Sequence, residues 1–295
     1  MYLFGDPATW LPLAFAALLG LSILIYVVLD GFDLGVGVLF PFAAPDEKDR
    51  MVASIGPFWD ANETWLVLAI GILLVAFPSA HGTILTALYL PVAVMLVGLI
   101  LRGVSFEFRA KAPIRHKGAW DAAFYIGSMM TSLSQGYMLG MYIMGLEVTA
   151  FTLAFSAVTA VFLTVAYSFI GATWLILKTD GALQLKAVQW SKGGIWGVVL
   201  GMGAVSLASP LVSERIFDKW FSMPEFFLLL PLPLMSGALI VLLWLALRRL
   251  PTSDDSFAWF PFAATIVLFV LPMILGYTAL AYTVFRGKAT ALSYE

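Results

Sequence analysis

Eight stretches of this chain are apolar for about 20 residues or more, the length an α-helix needs to cross the hydrocarbon core of a bilayer. They run approximately over 11–40, 52–78, 83–104, 120–146, 149–177, 193–212, 225–247 and 257–285. In hydrocarbon every backbone N–H and C=O must find its partner within the protein. A helix achieves this inside one segment, so runs of this kind lead to a helical bundle. Composition agrees: of 295 residues 61% are hydrophobic and only 12% charged, with a mean hydropathy of +0.95. The sequence therefore predicts an all-α, polytopic transmembrane bundle of about eight crossings, a single integral-membrane domain over 1–295. The first run is too long for one untilted crossing, and its later part, DGFDLGVGVLFPF from Asp30, is expected to reach the interface, with Pro41 and Pro45 ending the helix. The opening MYLFGDPATW lacks a basic n-region and a small-residue cleavage site, so the first run reads as a retained helix.

Basic residues supply the orientation. Lys48 and Arg50 follow the first run; Arg102, Arg109, Lys111, Arg115 and Lys117 follow the third; Lys178, Lys186 and Lys192 follow the fifth. The connections after the second and fourth carry no Lys or Arg. By the positive-inside rule the odd-numbered connections are cytoplasmic and the N-terminus is outside. Arg215 and Lys219, and the tail residues Arg286 and Lys288, run against this rule if there are eight crossings. Glycines at four-residue spacing, Gly31/Gly35, Gly136/Gly140 and Gly193/Gly197/Gly201, predict close helix packing within the chain. Trp10, Trp120, Trp190, Trp220 and Trp259 fall near predicted segment ends, as an aromatic belt does.

Composition also excludes chemistry. With no cysteine there is no thiolate nucleophile and no cysteine metal site, and the net charge of −2 does not suggest nucleic acid. The two histidines, His81 and His116, lie at segment ends, His81 most simply in a loop, and none falls inside an apolar run. Haem iron is usually held by His, Met, Cys or Tyr, and methionine at helical spacing is far more often core filling. The chain is therefore expected to bind no haem and no metal on its own. It shows no phosphate-binding loop, catalytic triad or metal-spaced cluster, so no catalytic residue is assigned to it.

The chemistry that remains is carboxylate chemistry. PFWDANETW, residues 57–65, places Asp60, Glu63 and Asn62 in a segment otherwise suited to hydrocarbon. An ionised side chain at the bilayer centre costs about 2.5–3.5 kcal/mol on insertion scales, so such acids are functional by default. Asp60 and Glu63 are i and i+3 on one helical face, and close carboxylates out of water tend to share protons. Asp30 and Asp33 repeat that spacing near the cytoplasmic end of the first run, about one to two turns shallower. They read either as a solvated helix terminus or as a proton-collecting mouth. In LRGVSFEFRAK, Arg102 and Glu107 are the candidate charge partners; Arg102 either neutralises a buried acid or snorkels to phosphates. Gln135 is a lone polar group suited to interhelical hydrogen bonding, with quinone contact a distant second.

VLDGFDLGVGVLFPF at 28–42, PFWDANETWLVLA at 57–69, LYLPVAV followed by LILRGVSFEFRAK through 111, GATWLILKTDG at 171–181 and LPMILGYTALAYTVFRGK at 271–288 resemble subunit II of the bd-type quinol oxidases, cyanide-insensitive variants included. The resemblance implies a heterodimer in a bacterial or archaeal cytoplasmic (inner) membrane. There a partner, subunit I, carries three haems, two b-type and one d-type or b-type, oxidises quinol at the outer face and reduces oxygen to water. It implies that Asp60 and Trp59 lie by a hydrophilic channel for cytoplasmic protons at the subunit contact, with Glu63 and Asn62 in the same motif. Asp30 and Asp33 match the family's GFD stretch, as channel mouth or support of the fold. Some members hold a structural quinone in this subunit, and a small single-helix accessory subunit is compatible with the pattern. Two departures stand out: Ala61 occupies a position where the family is expected to carry glycine, and the family has about nine crossings where Val270 here runs straight into Leu271. One more crossing would bring Arg286 and Lys288 inside. The competing reading is a proton-coupled secondary transporter with Asp60 and Glu63 as coupling sites, which predicts internal repeats and paired broken helices.

Overall fold

The computed structural model describes residues 7–212 and, beyond them, 217, 221–223, 226–227, 230–250, 257–268 and 270. The elements are α1 (Pro7–Leu39), a 3-10 turn (Phe40–Phe42), α2 (Pro45–Ile55), α3 (Trp59–Ala76), α4 (Pro78–Lys111), α5 (Ile114–Ile143), α6 (Ala150–Lys178), α7 (Gly181–Val212), α8 (Pro231–Arg249) and α9 (Trp259–Leu268). Among the described residues six helices are long and apolar enough to cross a membrane: α1, α3, α4, α6, α7 and α8. At 30 residues α5 is as long, but Ser128, Thr131, Ser132 and Ser134 lower its hydropathy. These side chains are buried where α5 packs between α4 and α6, so its polarity faces protein. The predicted run 257–285 is described only as far as residue 270; Leu271, Arg286 and Lys288 lie outside the described residues, as do Arg215 and Lys219.

The run predicted at 52–78 is two elements. Pro45 at the first turn starts α2, a short amphipathic helix whose Met51 and Ile55 are fully buried. Pro57, without an N–H and with its restraint on Gly56, ends α2 and delays the transmembrane helix α3 to Trp59. Other boundaries move as well. The run begun at 193 starts at Gly181, whose φ of +62° is the left-handed turn that admits α7. Trp190 consequently lies inside α7, packed on the core, and His81 sits in the first turn of α4. Leu88 has non-helical angles (φ −111°, ψ 15°) because Pro91 removes an N–H and crowds the carbonyl four residues back.

The core is the seam of α1 and α6, extended by α7: Phe32, Leu34 and Val36 meet Tyr167, Ile170 and Trp174, with Phe32 stacked on Trp174 at 4.3 Å. Here the backbones touch. A Cβ on Gly35 would stand 1.8 Å from the Tyr167 carbonyl oxygen, and Gly171 faces Gly35 reciprocally. Gly136 and Gly140 make the same kind of approach to Ala160 and Ser156 on α6.

One end of the bundle is tied by ion pairs that radiate from α2. Arg109 at the end of α4 bonds Asp49 (2.7 Å) and Asp121 of α5 (2.5 Å), Lys48 reaches Asp121 (3.0 Å), Lys186 of α7 reaches Glu47 (2.6 Å), and Arg50 reaches Asp180 after α6 (3.0 Å). The basic first, third and fifth connections therefore share one end. The bond from Lys186 and the Ala44 N–H hold the Glu47 carboxyl below its usual range. Partial burial pushes Asp49 up, but Arg109 and Lys117 outweigh it and hold it low.

Two tests follow. Gly35→Ala should fail to assemble or lose thermal stability sharply, because the neighbour it meets is backbone; a Tm equal to wild type would show that the α1–α6 seam can part. Because the Glu47 and Asp49 carboxyls are lowered in the folded state, their contribution is present above the ordinary carboxyl range, about pH 4, and lost as pH falls through their lowered values. Protease access to the α2 linkers should rise in that acid window and not between pH 6 and 8, which limited proteolysis reads directly.

Candidate functional site

Asp30 and Asp33 lie on one face of α1, both fully buried, with Asp30 nine residues (about 13 Å) short of the helix end. Arg102 of α4, 1% exposed, points at them. Its Nη1 donates to Asp30 Oδ1 at 2.8 Å and to Glu63 Oε1 of α3 at 3.0 Å, and its Nη2 stands 3.7 Å from Asp33 Oδ2. Asn62 Nδ2 donates to Asp33 Oδ2 (2.8 Å) and approaches the Leu29 carbonyl at 3.3 Å. On the far side of Arg102, Gly127 of α5 lies so close that a Cβ would sit 2.7 Å from the Arg102 backbone nitrogen. Three helices thus converge on one guanidinium, and of the two roles open to Arg102 it takes the buried one.

The ring of groups continues inward. Tyr167 of α6 donates its hydroxyl to Gln135 Oε1 at 2.7 Å, and Gln135 Nε2 donates to the Tyr26 hydroxyl at 2.6 Å. Since the amide fills an acceptor position on Tyr26, the Tyr26 hydrogen is left free to point elsewhere, and Asp30 is one turn further along α1. Asp30 Oδ2, Asp33 Oδ1 and Arg102 Nη2 are buried with no hydrogen-bond partner in the protein. Buried polar atoms normally have one, which sets these three apart from the rest of the cluster.

Of the residues singled out by sequence, Asp30, Asp33, Asn62, Glu63 and Arg102 come together, while Asp60, Trp59 and Glu107 stay outside the cluster. Asp60 is exposed in the first turn of α3, Trp59 is half-buried on Phe106 (ring centroids 5.0 Å), and Glu107 is exposed. The depth order is the reverse of the one anticipated, Asp60 shallow and Asp30 deep. The reason is α2: by taking residues 45–55 it puts Asp60 at a helix start, whereas α1 runs on well past Asp30. Burial is graded along the series, with Asp60 exposed, the Glu63 side chain 28% exposed, and Asp30 and Asp33 at 0%. Ala61 is exposed, so its methyl enters no tight contact. Tyr26 and Tyr167 were missed by sequence. Tyr26 had a signal, since 26, 30 and 33 share one helical face; Tyr167 had none.

The two histidines do not meet at one site. His81 is in the first turn of α4 and His116 in the first turn of α5, which begins where α4 ends, so the two lie at opposite ends of the bundle. Among the described residues no group of three or more His, Cys, Asp or Glu could hold a metal ion.

Fold and site together define a polytopic helical membrane protein with a desolvated, arginine-centred carboxylate cluster between its spans. Residues 11–284 match the family model described as cytochrome bd terminal oxidase subunit II, and the chain belongs to that family. It is 31% identical over 197 residues to cytochrome bd ubiquinol oxidase subunit 2 of Bacillus subtilis (strain 168), covering 61% of this chain and 58% of that one. It is 34% identical over 131 residues to cytochrome bd-I ubiquinol oxidase subunit 2 of Escherichia coli (strain K12), covering 43% and 35%. A probable cytochrome oxidase subunit 2 of Haemophilus influenzae (strain Rd) is 30% identical over 205 residues, covering 63% and 52%. The chain spans about half the length of the relatives it matches.

Removing the cation from this cluster leaves three carboxylates with no counter-charge. Arg102→Met should lower stability by about 3–5 kcal/mol, the scale for breaking a buried pair, with Arg102→Lys intermediate because one ammonium lacks the planar fork. Thermal unfolding of the purified protein checks this; an Arg102→Met Tm at or above wild type would show the cluster to be structurally dispensable.

Proposed function

We propose that this chain is the non-haem subunit II of a bd-type quinol:oxygen oxidoreductase and that it supplies cytoplasmic protons to a haem-carrying subunit I. Family membership supports the first part. The observation that carries the second is the burial gradient from exposed Asp60 through Glu63 to the fully buried Asp30 and Asp33.

Each residue has a chemical task. Asp60, exposed at the start of α3 on the basic end of the bundle and without an ion pair among the described residues, collects a proton. Glu63 lies one turn deeper on the same face and shares Arg102 with Asp30, so it connects the surface to the interior. Three carboxylates gather around a single guanidinium away from bulk water, and this cluster is the inner station of the path. Asn62 holds Asp33 in place, Trp59 walls the mouth against Phe106, and Tyr26 offers its hydroxyl to the inner carboxylate. The haems, held by subunit I, supply electron transfer and oxygen reduction when the complex is assembled. The end of the bundle that carries the basic connections is the cytoplasmic one, which puts the N-terminus outside.

The flank beside Asp60 fits a protein partner. Val67, Val75, Tyr89, Leu90 and Ile100 of α3 and α4 are between 60% and 80% exposed, and α3 and α4 touch each other only sparsely. An acid on so apolar a flank is costly against lipid and tolerable against a subunit that brings polar groups or water. The transporter reading has less support: within the described helices α4 alone is interrupted by non-helical angles, at Leu88, with no counterpart.

The test is Asp60→Asn in the assembled complex. Haem content and subunit composition should match wild type, while quinol oxidation falls by about tenfold or more, with the largest deficit at high pH where protons are scarce. Unchanged turnover across pH would remove Asp60 from the proton path. Purification of the chain alone, without a haem-bearing partner, would overturn the subunit assignment.

A further inference from the structure

Away from the carboxylate cluster, an open cleft of about 680 Å³ lies between the end of α2 and the end of α6. That is within the about 300–1,000 Å³ of small-molecule sites. Its walls carry Arg50, Ser54, Phe58, Lys178, Thr179 and Asp180. Lys178 makes no ion pair among the described residues; its Nζ rests instead over the rings of Trp174 and Phe58, 5.0 and 5.4 Å from their centroids. Arg50 uses Nη1 on Asp180 Oδ1 at 3.0 Å, and among the described residues its other N–H donors make no hydrogen bond. The hydroxyls are committed as donors, Ser54 to the Met51 carbonyl (2.8 Å) and Thr179 to the Leu175 carbonyl (2.7 Å), so each oxygen faces the cleft as an acceptor only. Asp180 keeps its second carboxylate oxygen.

The cleft therefore has two halves of opposite chemistry: cationic donors from Lys178 and Arg50, and acceptors from Asp180, Ser54 and Thr179. It opens at the end of the bundle where the basic connections gather and the charged α2 lies across the apolar spans, the level at which headgroups meet such a bundle, and Phe58 gives it an apolar side. We propose that it binds the headgroup of a zwitterionic phospholipid with a primary ammonium, phosphatidylethanolamine. The phosphodiester lies against Lys178 and Arg50, the ammonium donates to Asp180 and the two hydroxyl oxygens, and the start of an acyl chain lies on Phe58. Phosphatidylglycerol offers the phosphate but no cation for Asp180. Phosphatidylcholine offers a cation with no N–H to donate. The site is independent of the proton path.

Native mass spectrometry of the assembled, detergent-solubilised complex, given equal amounts of phosphatidylethanolamine, phosphatidylglycerol and phosphatidylcholine, tests this. Phosphatidylethanolamine should be retained over the other two. Lys178→Ala and Arg50→Ala should each reduce retention about fivefold, the scale of one basic residue at a membrane surface, and Lys178→Arg should restore it. Asp180→Ala should erase the preference over phosphatidylglycerol while leaving phosphate-dependent binding. These side chains are exposed, so the variants should assemble. Equal retention of the three lipids, a preference for phosphatidylglycerol, or variants that bind like wild type would overturn the assignment. Free phosphoethanolamine competing as well as the lipid would overturn the membrane source in favour of a soluble phosphate ester.

Discussion

The structure depends on one electrostatic constraint: the Arg102 guanidinium, 1% exposed, must be matched in a low-dielectric interior. Alone there it would be prohibitive; matched by Asp30 and Glu63 and approached by Asp33, it is held from two other helices at once. Those bonds fix more than charge. They set the depth of α3 and α4 against α1, because a shift of one turn along any of the three would carry a donor about 5 Å from its acceptor. Apolar packing between transmembrane helices does not supply that specificity, since lipid tails are as apolar as the side chains that compete with them. The glycine contacts do supply a complementary constraint, letting α1 meet α6 and α4 meet α5 at backbone distance.

A second set of charges works at one end of the bundle, and it explains why α2 exists. Its acidic and basic residues bond four different helix ends, while its apolar face, Met51 and Ile55, seals the bundle beneath. Phe40 adds an aromatic face to Lys48 and Arg109, both 5.3 Å from its centroid. This layer also sets the relative depth of the acids, since placing α2 across the end of the bundle leaves Asp60 at the rim of α3 and the Asp30–Asp33 pair well below it.

Much of this was legible in the sequence, for identifiable reasons. Hydrophobic length reveals crossings because hydrocarbon thickness admits few alternatives, and the bundle class, the basic end and most helix centres followed from it. Intrahelical spacing correctly paired Asp30 with Asp33. What spacing cannot carry is depth between helices, and depth was misjudged where α2 hid: MVAS reads as the start of an apolar run, although it continues the short charged helix begun by PDEKDR, and Pro57 separates that helix from α3. The partner of Arg102 was undetermined for a related reason. Its long stem serves a buried acid or a surface phosphate equally well, and only the register of α4 against α1 decides. The same blindness to depth left the shared face of Tyr26, Asp30 and Asp33 unused, and the Gln135–Tyr167 bond needs two helices whose relative register no local pattern encodes.

The proposed function, a buried carboxylate cluster on this chain serving haems on a partner, is a division of labour with a physical rationale. A group that must exchange protons needs water or another titratable group nearby, whereas a centre that holds reactive oxygen intermediates is best kept from bulk water. Placing exchange on one polypeptide and electron transfer on another satisfies both needs, provided the contact between them is where the polar path emerges. On the proposed function the exposed Asp60, at the edge of an apolar flank on α3 and α4, is the candidate for that junction: an ionisable group at the surface of this chain, with Glu63 and then Asp30 and Asp33 progressively more buried behind it. If protons enter as proposed, from one end of the membrane alone, uptake has a direction, and the geometry of a few buried acids then bears on whether the chemistry elsewhere charges the membrane.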